Sequence, residues 1–559
     1  MKFRRNRNAL LIERALPLFL LLLITVAPVW AERRERRIDA WKPVNYDIAL
    51  VLDDQLTEIK SARTDITILV LKDSPGTIDL DFGEMEVESV AVGSQPTRFV
   101  QEEGKLNVQL ASPVRKGQRL IVSVKYRGRP KDGLIFTPDK NGKPSVTGDN
   151  WPDRVHHWIP CLDHPSAKAT ARFTVTAPMR DLVVANGQLT AKRDNPDKTR
   201  TWIYTEGVPI PPYCMVIAVG EFALIEPQQP ALTPLSYYVP QSDRQFAQQG
   251  FAPAAPSLEL FSTVVAPYPY EKLALIVGAT RFGGMENSSA IVFGSTLFDA
   301  REGVQPMSRR FNIRRGIEEV VAHEIAHQWF GDSVTEATWS DLWLSEGFAT
   351  YFAGLFVERY EGQETFREYM KRQSDDYFAY EKKRRAPIFD PDTEDLNKLL
   401  NANNYEKGAW VLHMLRSMLG DEAFFRGVRN YYLAHRNSTA TTEDLRAALE
   451  KSGGTNLRAF FKRWIYESGH PVYAPTWTWR RMGRRGGVLT IRLRQTQAGA
   501  QFPNPLPIEI LLPNSKTRTI VKPTGKATVK RIPLAQRPVN VRFDPDATIL
   551  SEMVLPVSP

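Results

Sequence analysis

Apolar and polar residues alternate along the first part of the chain. Between residue 44 and about residue 233, alternating runs are separated by Gly, Pro, Asn and Asp, and they lie at 46–52, 65–71, 77–82, 119–126, 171–178 and 215–222. Because successive side chains of a strand point to opposite faces, a period of two is typical of half-buried β-strands. The pattern predicts a β-rich N-terminal domain over residues 32–233.

From about residue 235 the apolar residues recur at helical spacing. Segments with this period lie at 256–268, 314–331, 340–360, 405–420, 421–435 and 442–453. Apolar positions three and four residues apart fall on one face of an α-helix. The pattern predicts a mainly helical second domain over residues 234–472.

Alternation returns after residue 472. Short runs lie at 488–495, 507–512, 517–523, 527–532 and 539–543. Several short alternating strands at close spacing indicate a small β-sandwich, here over residues 473–559. The chain is therefore predicted to be an α+β multidomain protein, which agrees with a length of 559 residues, too long for a single hydrophobic core.

The N-terminus resembles an export signal. Four basic residues within residues 1–7 precede an apolar run over residues 15–30, and Val29-Trp30-Ala31 supplies a small-residue cleavage site. We expect residues 1–31 to be a signal peptide and the protein to be exported to the periplasm or the extracellular space. The alternative is an uncleaved membrane anchor, and only then would the protein be attached to a membrane.

Composition argues against two further classes of protein. The formal net charge is +10, but the predicted signal carries five basic residues and one acidic residue, so the remainder is about +6. No aromatic platform is interleaved with the basic clusters ERRERR (32–37) and RRMGRRGG (480–487), so nucleic-acid binding is not expected. The two cysteines, Cys161 and Cys214, are too few for a disulfide framework, and two buried thiols are favoured.

The segment HEIAHQWFG (323–331) carries the first candidate chemistry. On a helix, His323 and His327 lie on one face, where both imidazoles can bind one metal ion, and Glu324 can reach water beside that ion. A chance match to this motif in so histidine-poor a chain is expected on the order of one time in a hundred. The alternative is a pair of buried core histidines.

A third metal ligand follows in WLSEGFA (343–349). Glu346 is separated from His327 by eighteen residues and lies on a second predicted helix, which Ser340 could cap. Two antiparallel helices joined by a loop would bring Glu346 to the histidine pair. Catalytic zinc takes three protein ligands and keeps one position open, so the set His323, His327 and Glu346 predicts a site for one Zn²⁺.

These motifs together resemble a known family. HEIAHQWFG and WLSEGFA, with GGMEN (283–287) before them and NYEKGA (404–409) after them, are similar to the aminopeptidase N type of gluzincin zinc aminopeptidases. Weaker matches follow the same order in IPCLDHPSAKA (159–169), VANG (184–187), YPYEKL (268–273) and WIYESGHPV (464–472). The resemblance implies a thermolysin-like catalytic domain and hydrolysis of the N-terminal peptide bond of peptides.

The resemblance also implies a role for individual residues. Glu324 is expected to be the general base, and Tyr405 is expected to donate a hydrogen bond to the oxyanion. Glu286 is expected to bind the substrate's α-ammonium group. The neighbouring residues Gly283, Gly284 and Met285 are expected to bring the backbone close to the substrate.

The chain departs from the family at one pair of positions. Many members carry two polar residues, usually Gln or Glu, eleven and nine positions before the Pro-Cys pair, which is Pro160-Cys161 here. This chain has Asp149 and Trp151 instead. Our hypothesis is that the Asp149 carboxylate replaces the missing amine-binding group, and Trp151 is equally compatible with a core position.

The predicted function is that of a zinc-dependent aminopeptidase acting on peptides with a free N-terminus. Two alternatives stay open at this point. A gluzincin endopeptidase would share the zinc site but would not use Glu286, and a non-enzymatic peptide receptor could keep the same fold. The sequence does not determine the oligomeric state.

Overall fold

A computed structural model describes residues 39–228, 231–299, 315–483 and 486–554. The predicted signal peptide, residues 1–31, lies outside these ranges, so export stays a prediction. Within the described ranges, the structure contains no helix with the length and apolar character that crossing a membrane requires.

The N-terminal region consists of strands, which confirms the predicted β-rich character. Its strands are β1 (Trp41–Leu52), β2 (Ile59–Val70), β3 (Thr77–Asp81), β4 (Glu86–Val92), β5 (Gln95–Pro96), β6 (Phe99–Glu102), β7 (Lys105–Gln109), β8 (Arg119–Gly128), β9 (Leu134–Pro138), β10 (Pro144–Gly148), β11 (Ala169–Pro178), β12 (Leu182–Ala185), β13 (Gln188–Asp194), β14 (Thr199–Ile210) and β15 (Ile217–Gly220). They form an eight-stranded sheet in the order β13-β14-β11-β1-β2-β8-β4-β5, a four-stranded sheet β12-β15-β10-β9 and a three-stranded sheet β3-β7-β6.

The alternating pattern explains the core of this region. Along β1 the side chains of Tyr46, Ile48 and Leu50 are buried, whereas the intervening residues are partly exposed. Cys161 lies in this core and Cys214 in a separate buried cluster, and both are free thiols. The prediction of two buried thiols is confirmed.

The following region contains more β-structure than its sequence predicted. A five-stranded sheet in the order β16-β17-β18-β20-β19 precedes most of the helices. Its strands, and a later two-stranded pair, are β16 (Phe222–Ile225), β17 (Leu235–Pro240), β18 (Leu273–Gly278), β19 (Gly284–Met285), β20 (Ala290–Gly294), β21 (Val334–Glu336) and β22 (Ser438–Ala440). Strands such as β18 show no alternation because they are buried on both faces, so their sequences are continuous apolar runs.

Nine helices are described in this region, and all six predicted helical segments contain one. They are α1 (Arg244–Gly250), α2 (Ala254–Val264), α3 (Arg315–His327), α4 (Trp343–Glu361), α5 (Gln363–Glu381), α6 (Gly408–Leu419), α7 (Asp421–His435), α8 (Thr442–Gly453) and α9 (Arg458–Trp464). Helix α4 is buried on nearly all sides and packs against α3, α5 and α6. A helix in this position holds its side chains on a rigid frame.

The start of α4 differs from the prediction. Ser340 does not cap the helix, because it lies in a 3-10 turn over Trp339–Asp341 and its hydroxyl donates to the carbonyl of Asp390. Leu342 occupies the N-cap position, and no side chain caps the helix there. The 3-10 turn leads directly into α4, and this takes the place of the expected side-chain cap.

The C-terminal region has the two sheets expected of a sandwich. Its strands are β23 (Val472–Arg481), β24 (Gly487–Gln495), β25 (Leu506–Leu512), β26 (Ser515–Val521), β27 (Ala527–Leu534), β28 (Asn540–Phe543) and β29 (Glu552–Met553). One sheet runs β27-β24-β23-β29 and the other β26-β25-β28. Leu489 and Ile491 of the first sheet share a buried cluster with Ile508 and Ile510 of the second. The exact domain boundaries stay predictions.

Candidate active site

Helices α3 and α4 bring the three predicted metal ligands together. The Nε2 atoms of His323 and His327 lie 3.0 Å apart, and each lies 3.3 Å from Oε2 of Glu346. The helical spacing places both imidazoles on one face of α3, and the packing of α4 against that face supplies the carboxylate. The three ligand atoms form a nearly equilateral triangle.

The second nitrogen of His327 is held by the chain around it. Its Nδ1 lies 3.1 Å from the carbonyl oxygen of Phe330 and 3.0 Å from the hydroxyl of Ser345. A carbonyl can only accept, so Nδ1 carries the proton and donates it to Phe330. The Nε2 lone pair is therefore free to bind a metal ion, as is usual for metal-binding histidines.

The triad fits a small divalent cation. Tetrahedral zinc with ligands at about 2.1 Å has ligand atoms roughly 3.4 Å from one another, close to the observed distances of 3.0 and 3.3 Å. Oε2 of Glu346 is buried and accepts no hydrogen bond from any described residue. Two imidazole lone pairs and an unsatisfied carboxylate oxygen directed at one point constitute a donor set for Zn²⁺.

The electrostatics of the surrounding cavity also favour cations. Burial raises the pKa of Glu324 well above its usual value; His327 opposes this, and the Glu286 and Glu346 carboxylates raise the pKa further. Burial likewise raises the pKa of Glu286, to about 7. Burial alone would also raise the pKa of Glu346, but the adjacent His327 and His323 outweigh it and lower that pKa to about 2. No lysine or arginine is among the described residues that line the cavity.

Glu324 lies beside a glycine that allows the backbone to approach it closely. A Cβ atom on Gly284 of β19 would lie 2.3 Å from Oε1 of Glu324, so only glycine leaves room for this carboxylate. The Glu324 side chain is confined between α3 and the loop that carries Gly283, Gly284 and Met285. The close approach found here is that of Gly284 to Glu324, and the approach of this backbone to a substrate stays a prediction.

Glu286 lies at a short, fixed distance from the metal-ligand triad. Its carboxylate, that of Glu324 and an imidazole nitrogen of His327 all lie within 4.8 Å of one another. The backbone carbonyl of Glu286 accepts a hydrogen bond of 2.8 Å from Nε2 of Gln328, whose Oε1 in turn accepts the amide hydrogen of Ser289. The role of Gln328 in holding this loop was not predicted from the sequence. The available signal was its position directly after the metal ligand His327.

Tyr405 reaches the site from a π-helical turn over Asn403–Lys407 that leads into α6. Its ring is parallel to the His323 imidazole, with the centroids 5.9 Å apart. A Cβ atom on Gly408 would lie 2.9 Å from Cα of Gly347, so this glycine pair allows the turn to approach α4 closely. Burial and the Glu346 carboxylate raise the pKa of Tyr405 well above its usual value, and the phenol stays a hydrogen-bond donor at neutral pH.

These residues line one cavity of about 590 Å³. All the predicted site residues except Asp149 line this cavity. Trp151 and Phe282 also form part of its wall. Sequence reasoning missed several lining residues on the helices, namely Glu319, Thr350, Tyr369, Gln373 and Glu406. Two of them had a usable signal, because Glu319 lies one helical turn before His323 and Thr350 one turn after Glu346.

Asp149 lies behind the cavity wall. Its side chain is fully buried, with Oδ1 3.1 Å from Nη2 of Arg154 and Oδ2 accepting the amide hydrogen of Arg281 at 3.2 Å. Both carboxylate oxygens are thus engaged by protein groups. This arrangement differs from the hypothesis of direct contact between the Asp149 carboxylate and a substrate amine.

A helix pair that presents two histidines and a glutamate, with a further buried glutamate beside them, is the arrangement of a zinc metallopeptidase. Comparison with known proteins agrees. The Peptidase M1 N-terminal domain matches residues 42–214, and the Peptidase family M1 domain matches residues 254–464. The two segments make up more than half of the chain, which belongs to peptidase family M1. The resemblance to aminopeptidase N-type zinc aminopeptidases is confirmed.

The individual proteins that match this chain have low sequence identity to it. The chain is 28% identical to the probable aminopeptidase 1 of Saccharolobus solfataricus over 407 residues, which cover 71% of this chain and 50% of that protein. It is 28% identical to the glutamyl aminopeptidase of Homo sapiens over 347 residues, covering 60% and 35% of the two chains. The crystal structure of an M1 zinc metallopeptidase from Deinococcus radiodurans matches with a TM-score of 0.62 and 25% identity, covering 76% of this chain and 94% of that one. The matched region spans half or less of the first two relatives.

Proposed function

We propose that the protein is a zinc-dependent aminopeptidase that removes the first residue from peptides with a free amino terminus. The observation that carries the proposal is the buried Glu286 carboxylate, which lies within 4.8 Å of the Glu324 carboxylate and the His327 imidazole. A carboxylate at this distance, with its pKa raised to about 7, ionises when a substrate ammonium lies beside it next to the scissile bond. An enzyme that cleaves within a chain has no use for it.

The residues that would hold the metal ion are His323, His327 and Glu346. When bound, zinc supplies Lewis acidity, which polarises the scissile carbonyl and acidifies the attacking water. Glu324 takes a proton from that water at its carboxylate and delivers it to the leaving nitrogen as the peptide C–N bond breaks. The position of Glu324 suits this transfer, because Gly284 leaves room for its carboxylate beside the metal ligands.

Tyr405 stabilises the negative charge that develops on the carbonyl oxygen. Its hydroxyl group lies in the cavity next to the metal ligands and remains protonated. A hydrogen-bond donor of this kind is typically worth about 3 kcal/mol in the transition state. Tyr405 therefore complements Glu324, which handles the proton.

Replacing Glu286 by Gln is expected to lower kcat/KM for an aminoacyl aminocoumarin amide at least about 30-fold. Removing one partner of a buried charge pair costs at least about 2 kcal/mol, and here the lost partner faces the substrate ammonium. Steady-state kinetics on the zinc-loaded variant measures the effect. The matched control is Glu509→Gln, because Glu509 is a buried carboxylate in β25 that does not line the cavity and whose charged partners are residues of the C-terminal region.

The same experiment separates the alternatives. A Glu286→Gln variant that stays within about threefold of the wild type would remove the support for amine recognition. Cleavage of N-acetylated peptides by the wild type would favour an endopeptidase. Zinc binding without any turnover would favour a peptide receptor.

A further inference from the structure

Asp149 belongs to a group of four charges behind the cavity wall. Its partners are Arg154, which follows it in the chain, and Arg281, which lies just before the loop with Glu286. Asp132 completes the group, 2.8 Å from Nη2 of Arg281 and 3.8 Å from Nε of Arg154. Positive and negative groups alternate, so each arginine lies between two carboxylates.

Asp149 is the member of this group that contacts the backbone of the loop. Its Oδ2 accepts the amide hydrogen of Arg281, whereas Asp132 reaches only the guanidinium of that residue. Asp149 is fully buried, and Asp132 is partly exposed. The hydrogen bond from a buried carboxylate to a loop amide is charge-assisted and stronger than one between neutral groups.

The neighbouring residue Trp151 acts on the same loop. Its ring packs edge-to-face against Phe282, with centroids 6.0 Å apart, and the Arg154 guanidinium lies 6.0 Å from the centre of the Phe282 ring. The segment 149–154 therefore contacts the loop at two successive residues. Phe282 and the residues after it form the cavity wall beside Glu324.

We propose that Asp149 is a positioning residue that holds the loop 281–286 in place and thereby sets how tightly Glu286 binds a substrate ammonium. The inference rests on the proposed aminopeptidase function. The loop has little other regular structure, since β19 contains only Gly284 and Met285. Because Glu286 ends this loop, a displacement of the loop by about 1 Å would move the Glu286 carboxylate relative to a bound ammonium.

The test compares two hydroxamates that differ only in the α-amine, L-leucine hydroxamate and 4-methylpentanoyl hydroxamate. Their affinities for the zinc-loaded protein are measured by calorimetry. Asp149→Ala is expected to weaken the amine-bearing ligand by about tenfold, the effect of losing one charge-assisted hydrogen bond, and to leave the other within about twofold. Glu286→Gln should show the same pattern more strongly.

Two further variants sharpen the test. Asp149→Asn keeps an acceptor for the Arg281 amide but loses the ion pair with Arg154, so the amine-bearing ligand should weaken by only about threefold. This milder variant also tests the proposal if Asp149→Ala does not fold. Asp132→Asn is the control, because it removes a partner of the Arg281 side chain and leaves the loop amide bound to Asp149.

The outcomes distinguish the inference from the function on which it rests. Equal binding of the two hydroxamates by the wild type would contradict amine recognition itself. A wild type that prefers the amine, together with Asp149 variants that keep the preference within about twofold, would overturn the role of Asp149. An equal loss for both ligands would also overturn it, because that result indicates a general structural effect.

Discussion

The Glu324→Gln variant is expected to keep its zinc and to lose turnover by roughly 10²–10⁴-fold in kcat. Gln has nearly the shape of Glu, so the cavity and the ligands His323, His327 and Glu346 should be undisturbed. A carboxamide, however, cannot take a proton from water and pass it to the leaving nitrogen. The measurements are kcat on an aminoacyl aminocoumarin amide and zinc content by atomic absorption.

The control for this variant is again Glu509→Gln, which makes the same chemical change at a buried carboxylate outside the cavity. It should keep both zinc and turnover. A Glu324→Gln protein with kcat within about tenfold of the wild type would assign the general base elsewhere. Loss of zinc from that variant would instead make Glu324 a ligand.

Glu346→Ala is expected to lose the metal ion itself, with zinc affinity reduced by more than about 100-fold. Changes to groups that merely orient metal ligands already cost about 10- to 100-fold, and Glu346 is one of only three protein ligands. Its Oε2 lies 3.3 Å from each histidine nitrogen, whereas the Glu286 and Glu324 carboxylates are grouped with His327 and not with His323. Competition with a chelator of known affinity measures the loss.

Thr350→Ala is the matched control for metal binding, because Thr350 lies one helical turn after Glu346 and faces the same cavity. It should retain zinc at the wild-type affinity. Equal zinc content in Glu346→Ala and Glu324→Gln would contradict the assignment of ligand and base. Thermal unfolding of both metal-free proteins checks that the fold is intact.

Local patterns in the sequence were sufficient to predict much of this site. The spacing of His323 and His327 has one geometric consequence on a helix, and the structure places both on the same face of α3. Glu346 required a further assumption, that the next helix packs antiparallel to the first, and the packing of α4 against α3 brings it to the histidines. The strands of the N-terminal and C-terminal regions could also be predicted from the sequence, because apolar residues alternate with polar ones where one face of a strand is buried.

Long-range packing determines what the sequence did not predict. The five-stranded sheet at 222–294 was missed because its central strands are buried on both faces and lack a period of two. Asp149 was expected at the substrate, and only the fold shows that Arg154 and Arg281 occupy both of its oxygens. Ser340 has the chemistry of a helix cap, but the preceding 3-10 turn moves the start of α4 beyond it.

The most direct test of the proposed activity is the hydrolysis of paired aminocoumarin amides, one with a free α-amine and one N-acetylated, by the zinc-loaded wild-type protein. Because the buried Glu286 carboxylate is matched to an ammonium group, we predict turnover of the free amides and at least about 30-fold slower turnover of the acetylated partners. Equal turnover of both members of each pair, or turnover of the acetylated amides alone, would contradict the account.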